Sequence, residues 1–211
     1  MMIAVGPQRF AGKIALVTGA ARGIGEAIAR RLGAEGARIV IADKDFEGAL
    51  VVASSMTQDG FEASAVNLDI GDADSIATSV GDVEAAHRRC DILVNNAAIN
   101  DVTALSDLDM PHFRQVQRIN LDGPLAVVLA FLPLVRRAAN GRILNISSIM
   151  GLRGSKGSLA YSTAKGDIKL GGWPLDSEGF VQIPNQPGLG VELDRDGLER
   201  YTRNARELLE V

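Results

Sequence analysis

The chain has 211 residues, 46% of them apolar, enough for one well-buried domain and too few for two ordinary large ones. Its net charge of −4 argues against a general binder of the nucleic-acid backbone, because such domains gather positive charge on one face. A single cysteine, Cys90, rules out an internal disulfide, and two isolated histidines, His87 and His112, read as surface or helix-end residues rather than metal ligands.

Residues 1–11 hold one Arg and no sustained apolar run, which predicts neither a signal peptide nor a membrane span and makes a cytoplasmic location the expectation. From Lys13 short β-branched runs alternate with longer helical stretches, the pattern of a parallel sheet covered by helices on both faces. Strands are predicted at 14–17, 38–42, 63–68, 92–94 and 142–146, with Cys90 packed just ahead of the fourth. Helices are predicted at 24–35, 46–58, 72–88 and about 110–139, the last interrupted or kinked near Pro124 and Pro133. The fold class that follows is a doubly wound α/β domain of Rossmann type, whose ligands gather at the carboxyl ends of its strands.

After Lys165 the composition changes: residues 166–190 carry Pro174, Pro184 and Pro187 and six glycines, and the βα alternation stops. A short strand at 180–183 and a helix at 197–210, with Leu198, Tyr201, Ala205, Leu208 and Leu209 on one stripe, are all that the pattern predicts there. Trp173 and Tyr201 read as packing aromatics. The expected organisation is a nucleotide-binding domain over 1–169, incomplete at its carboxyl end, and an irregular tail over 170–211.

Two stretches carry chemistry. Thr18-Gly19-Ala20-Ala21-Arg22-Gly23-Ile24-Gly25 follows a strand and opens a helix, so its glycines permit a tight turn and close approach of a pyrophosphate to the helix N-terminus. Asp43 ends the next strand, eighteen residues beyond Gly25, where a carboxylate accepts from ribose hydroxyls; its other reading is a cap on the helix that begins at Phe46. A carboxylate there repels a 2′-phosphate, which favours NAD over NADP, while Arg22 and Lys44 pull the other way. Asp69 ends the third strand, placed for the adenine, and Asn95-Asn96-Ala97-Ala98 ends the fourth with small residues that leave room for a cofactor.

The second stretch is Tyr161-Ser162-Thr163-Ala164-Lys165. Residues four apart on a helix share a face, so the Lys165 ammonium favours the ionised phenol of Tyr161, which ordinarily titrates near a pKa of about 10. Ser148 lies thirteen residues earlier at the end of the fifth strand, while Ser147 points the other way. With Asn120 these residues resemble a short-chain dehydrogenase/reductase over about 10–165. The resemblance implies a catalytic tetrad of Asn120, Ser148, Tyr161 and Lys165. It also implies a cofactor site at Gly19, Ala21, Arg22, Gly23, Ile24, Gly25, Asp43, Asp69, Ile70, Asn96, Ala97 and Ala98, completed by Tyr161 and Lys165. Its substrate would be a small-molecule alcohol or carbonyl compound, with sugars and polyols as a candidate class. A homo-oligomer is compatible with the resemblance, although one of the two helices of the family's usual interface is expected to be truncated.

Residues about 173–201, through Glu178-Gly179-Phe180-Val181-Gln182-Ile183-Pro184 and Pro187-Gly188-Leu189-Gly190-Val191-Glu192-Leu193, resemble instead the carboxyl end of a mandelate-racemase-like sugar-acid dehydratase of the enolase superfamily. That segment brings no metal ligand or general base. Two resemblances meeting near Gly166 suggest a fusion or deletion product, and they set a second functional reading beside the enzyme: a nucleotide-binding remnant with impaired catalysis.

Overall fold

Five β-branched runs become five parallel strands in a computed structural model that describes residues 8–154 and 156–167. They are β1 (Ile14–Thr18), β2 (Arg38–Asp43), β3 (Ala63–Asn67), β4 (Ile92–Asn95) and β5 (Arg142–Asn145), in the order β3-β2-β1-β4-β5. Every residue of β1 and β4 is buried, as befits strands covered on both faces. The chain steps outward from β1 to β3 on one side and through β4 to β5 on the other, so the order reverses between β1 and β4. Thr18, Asp43, Asn95 and Asn145 therefore stand at one end of the sheet, around that switch point. The expected strand at 180–183, the helix at 197–210, and the placements of Trp173 and Tyr201 lie outside the described residues.

The helices α1 (Gly23–Ala34), α2 (Phe46–Gln58), α3 (Ala73–His87), α4 (Met110–Gln117) and α5 (Gly123–Arg136) follow the predicted apolar periodicity, with outer ends within three residues of the expected ones. Asp45, Asp72 and Asp109 cap the second, third and fourth of these by accepting from amides of the first turn. Arg88, left-handed at φ 65°, ends α3. Ala15, Val17, Ile39 and Ile41 form one core with Ala29 of α1 and Ala49, Ala53 and Met56 of α2. Cys90 is fully buried and its thiol is pushed up to about 12, chiefly by burial, which fits the packing role.

One expectation holds in part. The helix predicted over 110–139 runs on from Met110 to Arg136; a π turn, Arg118–Asp122, interrupts its α-helical bonding just before Pro124, near the first expected position, while Pro133 sits inside α5 without ending it. Pro124 follows the π turn as the second residue of α5. Pro133 would have bonded the carbonyl of Leu129, a residue on the half-exposed face that water reaches. Met110–Arg136 is long and apolar enough by composition to cross a bilayer. Yet Val127, Phe131, Leu134 and Val135 are buried in this fold, as a core helix requires. Two short helices complete the described chain, α6 (Met150–Arg153) and α7 (Leu159–Asp167); the first of them is not legible in the sequence.

At the amino end of the sheet the buried carboxylate of Glu35, at the end of α1, accepts from the guanidinium groups of Arg9 and Arg31. Those hydrogen bonds, that of Arg9 first, hold its pKa down to about 2. A carboxylate held below its unfolded value stabilises the fold above about pH 4.5, and that contribution is lost as the pH falls toward 2. Glu35→Gln is expected to lower the melting temperature at pH 7 and to flatten the acid limb of the stability profile between those values. Thermal melts from pH 7 to pH 2 read both; an unchanged acid limb would contradict the assignment.

Candidate active site

The turn after β1 has no room for a side chain at Gly19 or at Gly25. A Cβ on Gly19, whose φ is +64°, would lie 2.7 Å from the Ala97 Cα, and one on Gly25 would lie 2.3 Å from the Gly19 carbonyl oxygen. Gly23, also at positive φ, has open space where its side chain would be. No side chain among the described residues caps α1, so its first amides keep their N–H groups for a ligand, which is where a pyrophosphate binds best. The turn is stapled to the strand beside it. Asn96 Nδ2 donates to the carbonyls of Thr18 (2.9 Å) and Gly19 (3.1 Å), and Thr18 Oγ1 accepts from the amides of Asn96 and Ala97, both at 3.0 Å.

Gly19, Arg22, Asp43, Asp69, Ile70, Asn96, Ala97 and Ala98 border one cavity, together with Lys44. Of the other residues expected to meet the cofactor, Ala21, Gly23, Ile24 and Gly25 lie on the turn itself, and Ile24 is exposed. Asp43 is not the helix cap, since Asp45 caps α2. Its Oδ2 accepts from the Ala21 amide and its Oδ1 from the Asp45 amide, each at 3.0 Å. Asp69 accepts from the Gly71 amide at 2.8 Å. The crowded glycines, the uncapped helix start and the acidic strand end fit a dinucleotide.

The second half of the site is assembled from β5, α6 and α7. Lys165 is almost fully buried, and its ammonium donates to the Ile146 carbonyl at 3.0 Å and stands 5.9 Å from the centre of the Tyr161 ring. Burial pushes the Lys165 pKa down. Ser147 turns away from the strand end, as alternation predicts, and its hydroxyl donates to the Lys165 carbonyl at 3.0 Å. Ser148 Oγ accepts from the Met150 amide at 3.2 Å, which leaves its proton free to donate elsewhere. Gly151 lets α6 close on α7, because a Cβ there would lie 2.5 Å from the Lys165 carbonyl oxygen.

Asn120 is fully buried in the π turn and reaches back to the loop after β4: Oδ1 accepts from the Ile99 amide (2.8 Å) and Nδ2 donates to the Ile99 carbonyl (2.9 Å). Two further polar links do not show in the sequence. Gln117 of α4 donates to the Ala160 carbonyl at 2.8 Å, and His112 pairs with the buried Asp101 at 2.7 Å. No spacing rule announces either pair; a histidine and an aspartate eleven residues apart read as ordinary helix and loop.

The family model for the short chain dehydrogenase matches residues 13–170. Galactitol 2-dehydrogenase of Agrobacterium fabrum is 38% identical over 76% of this chain and 62% of its own length. Cis-4-hydroxycyclohexanecarboxylate dehydrogenase of Sinomonas cyclohexanicum is 40% identical over 76% of this chain and 65% of its own. A metagenomic short-chain oxidoreductase, solved with NADP, is 38% identical with a TM-score of 0.69, over 74% of this chain and 71% of that one. The chain thus spans about three fifths of the length of the curated relatives it matches. The segment 173–201, with its likeness to the enolase superfamily, lies outside the described residues and beyond the family match.

Proposed function

Because this chain belongs to the short-chain dehydrogenase family, we propose that it moves a hydride between a nicotinamide dinucleotide and a secondary alcohol or the corresponding carbonyl compound. The observation that carries the reading is the buried Lys165 ammonium beside Tyr161, at the same end of the sheet as a turn whose Gly19 and Gly25 leave no space for side chains. The cofactor supplies or accepts the hydride. Tyr161 moves the proton at the substrate oxygen, and Ser148, whose hydroxyl keeps its proton, donates to that same oxygen as charge develops on it. Lys165 keeps a positive charge next to the phenol. Asn120 fixes the loop through Ile99 and thereby the wall of the site between β4 and α4.

Both oxygens of Asp43 are engaged by amides, and Arg22 and Lys44 border the same cavity, so a preference for NAD is weaker here than the acidic strand end alone implies. Acceptance of both dinucleotides is the better reading, and the NADP held by the metagenomic oxidoreductase supports it. Asp43→Asn removes the charge. Because an amide nitrogen cannot accept, it also gives up one of the two bonds to the Ala21 and Asp45 amides, a loss that both dinucleotides share and that cancels in their ratio. The substitution is expected to raise the ratio of NADP to NAD affinity about tenfold, the effect of roughly 1.4 kcal/mol of removed repulsion. Calorimetric titration of parent and variant with both dinucleotides measures it, and an unchanged ratio would place the 2′-position away from Asp43.

The names of the relatives point to polyols and ring alcohols as first substrates to try. The test is nicotinamide absorbance with the purified chain, both dinucleotides, and a panel of polyols, cyclohexanols and matching ketones. Turnover on any of them supports the reading. Tight cofactor binding without turnover across the panel would favour the impaired nucleotide-binding remnant.

A further inference from the structure

Residues 96–109, between β4 and α4, form a loop of fourteen residues, longer than a connection needs and for that reason a candidate for function. Its anchor is a buried carboxylate. The side chain of Asp101 is 3% exposed, yet its partners are few: Oδ1 meets His112 Nε2 and Thr103 Oγ1, each at 2.7 Å, and Oδ2 is buried with no hydrogen-bond partner among the described residues. A carboxylate accepts and cannot donate, so Nε2 of His112 carries the proton of that bond. A buried carboxylate with one oxygen unsatisfied is costly, and such a cost is ordinarily met only where the arrangement it fixes matters.

What it fixes is close to the chemistry. Thr103 pairs through a parallel bridge with Ser158, itself buried one residue before α7. The Ser158 carbonyl accepts the Ser162 amide at 2.8 Å, and so closes the turn of α7 that carries Tyr161. On the other side of the loop Ile99 is held by Asn120. The Asp101 carboxylate thus joins the first turn of α4, where His112 sits, to the loop and through Thr103 to the start of α7. The nucleotide turn is held by other bonds, those of Asn96 and Thr18.

We propose that Asp101, gripped by His112 and Thr103, is a positioning residue for the reaction, one that holds the β4–α4 loop and the start of α7 so that Tyr161 meets the substrate oxygen. This rests on the dehydrogenase reading above. Misplacement of a reacting group by about an ångström costs on the order of a hundredfold in rate, so the loss falls on kcat and leaves cofactor affinity alone.

Asp101→Ala and Asp101→Asn separate the roles, because both bonds are made by Oδ1, which the amide retains. Three quantities are read in each: kcat, the affinity for NADP by calorimetry, and amide hydrogen exchange of the apo chain. The expected result for Asp101→Ala is a fall of at least tenfold in kcat, NADP affinity within about twofold of the parent, and faster exchange confined to 99–103 and 158–162; Asp101→Asn restores all three. Parent-like kcat in Asp101→Ala overturns the proposal. So does exchange that is unchanged at the Ile99 and Ser162 amides, or that quickens throughout the sheet, which would make Asp101 a general structural residue. A parent chain that turns over no alcohol defeats the dehydrogenase reading itself, and the exchange pattern then still decides whether the carboxylate holds the loop and α7 together.

Discussion

Tyr161→Phe is expected to lower kcat by about 10² to 10⁴-fold while NADP affinity and melting temperature stay within error of the parent. The change deletes one oxygen. The ring remains, and with it the packing of a half-buried residue on α7 and the Lys165 ammonium 5.9 Å from the ring centre. Uniform binding is untouched, so the loss falls on the step in which a proton moves. Steady-state rates with whichever alcohol the panel identifies, beside a calorimetric titration, separate the two effects. A variant that keeps more than about a tenth of the parent rate would take the proton transfer away from Tyr161.

Gly25→Ala carries the second large effect, on binding instead of chemistry. The added Cβ would stand 2.3 Å from the Gly19 carbonyl oxygen and 2.6 Å from Asn96 Nδ2. The first is backbone and the second is fixed by its bonds to Thr18 and Gly19, so neither gives way cheaply. Overpacking of this kind costs roughly 1–3 kcal/mol, and here it opens the turn that a pyrophosphate must approach. Cofactor affinity is expected to fall about 10 to 100-fold, which is the same energy read as binding. Gly81→Ala is the control. Gly81 lies inside α3 with nothing within 4 Å of a built Cβ, so alanine there should leave binding alone and stabilise the helix by about 0.5–1 kcal/mol. Equal binding losses in the two variants would mean that crowding at Gly25 is not the cause.

The parts of this protein that local rules govern are legible in its sequence. β-branched runs such as 38–42 become buried strands because nothing else buries them on two faces, and Gly19 and Gly25 announce a turn that only glycine can make. Asp43 and Lys165 are legible for the same reason, since strand ends and helical spacing place them. What is not legible depends on contacts between distant residues. The π turn in the long helix carries Asn120, whose side-chain amide pairs with Ile99, twenty-one residues away, a contact that no local spacing announces, and Pro133 is accommodated inside α5. His112 reads as an idle surface histidine until the fold brings the buried Asp101 to it. Asp43 likewise reads as bare charge aimed at a ribose, and its bonds to the Ala21 and Asp45 amides change what it asks of a cofactor.

The central claim, that the turn from Gly19 to Gly25 together with Asp43 forms a working dinucleotide site, is tested most directly by calorimetric titration of the purified chain with NADP and with NAD, beside Gly25→Ala. The account predicts saturable binding of at least one dinucleotide at a single site and a clear loss of affinity in the variant. A flat titration with both dinucleotides, from a chain that melts cooperatively, would contradict it.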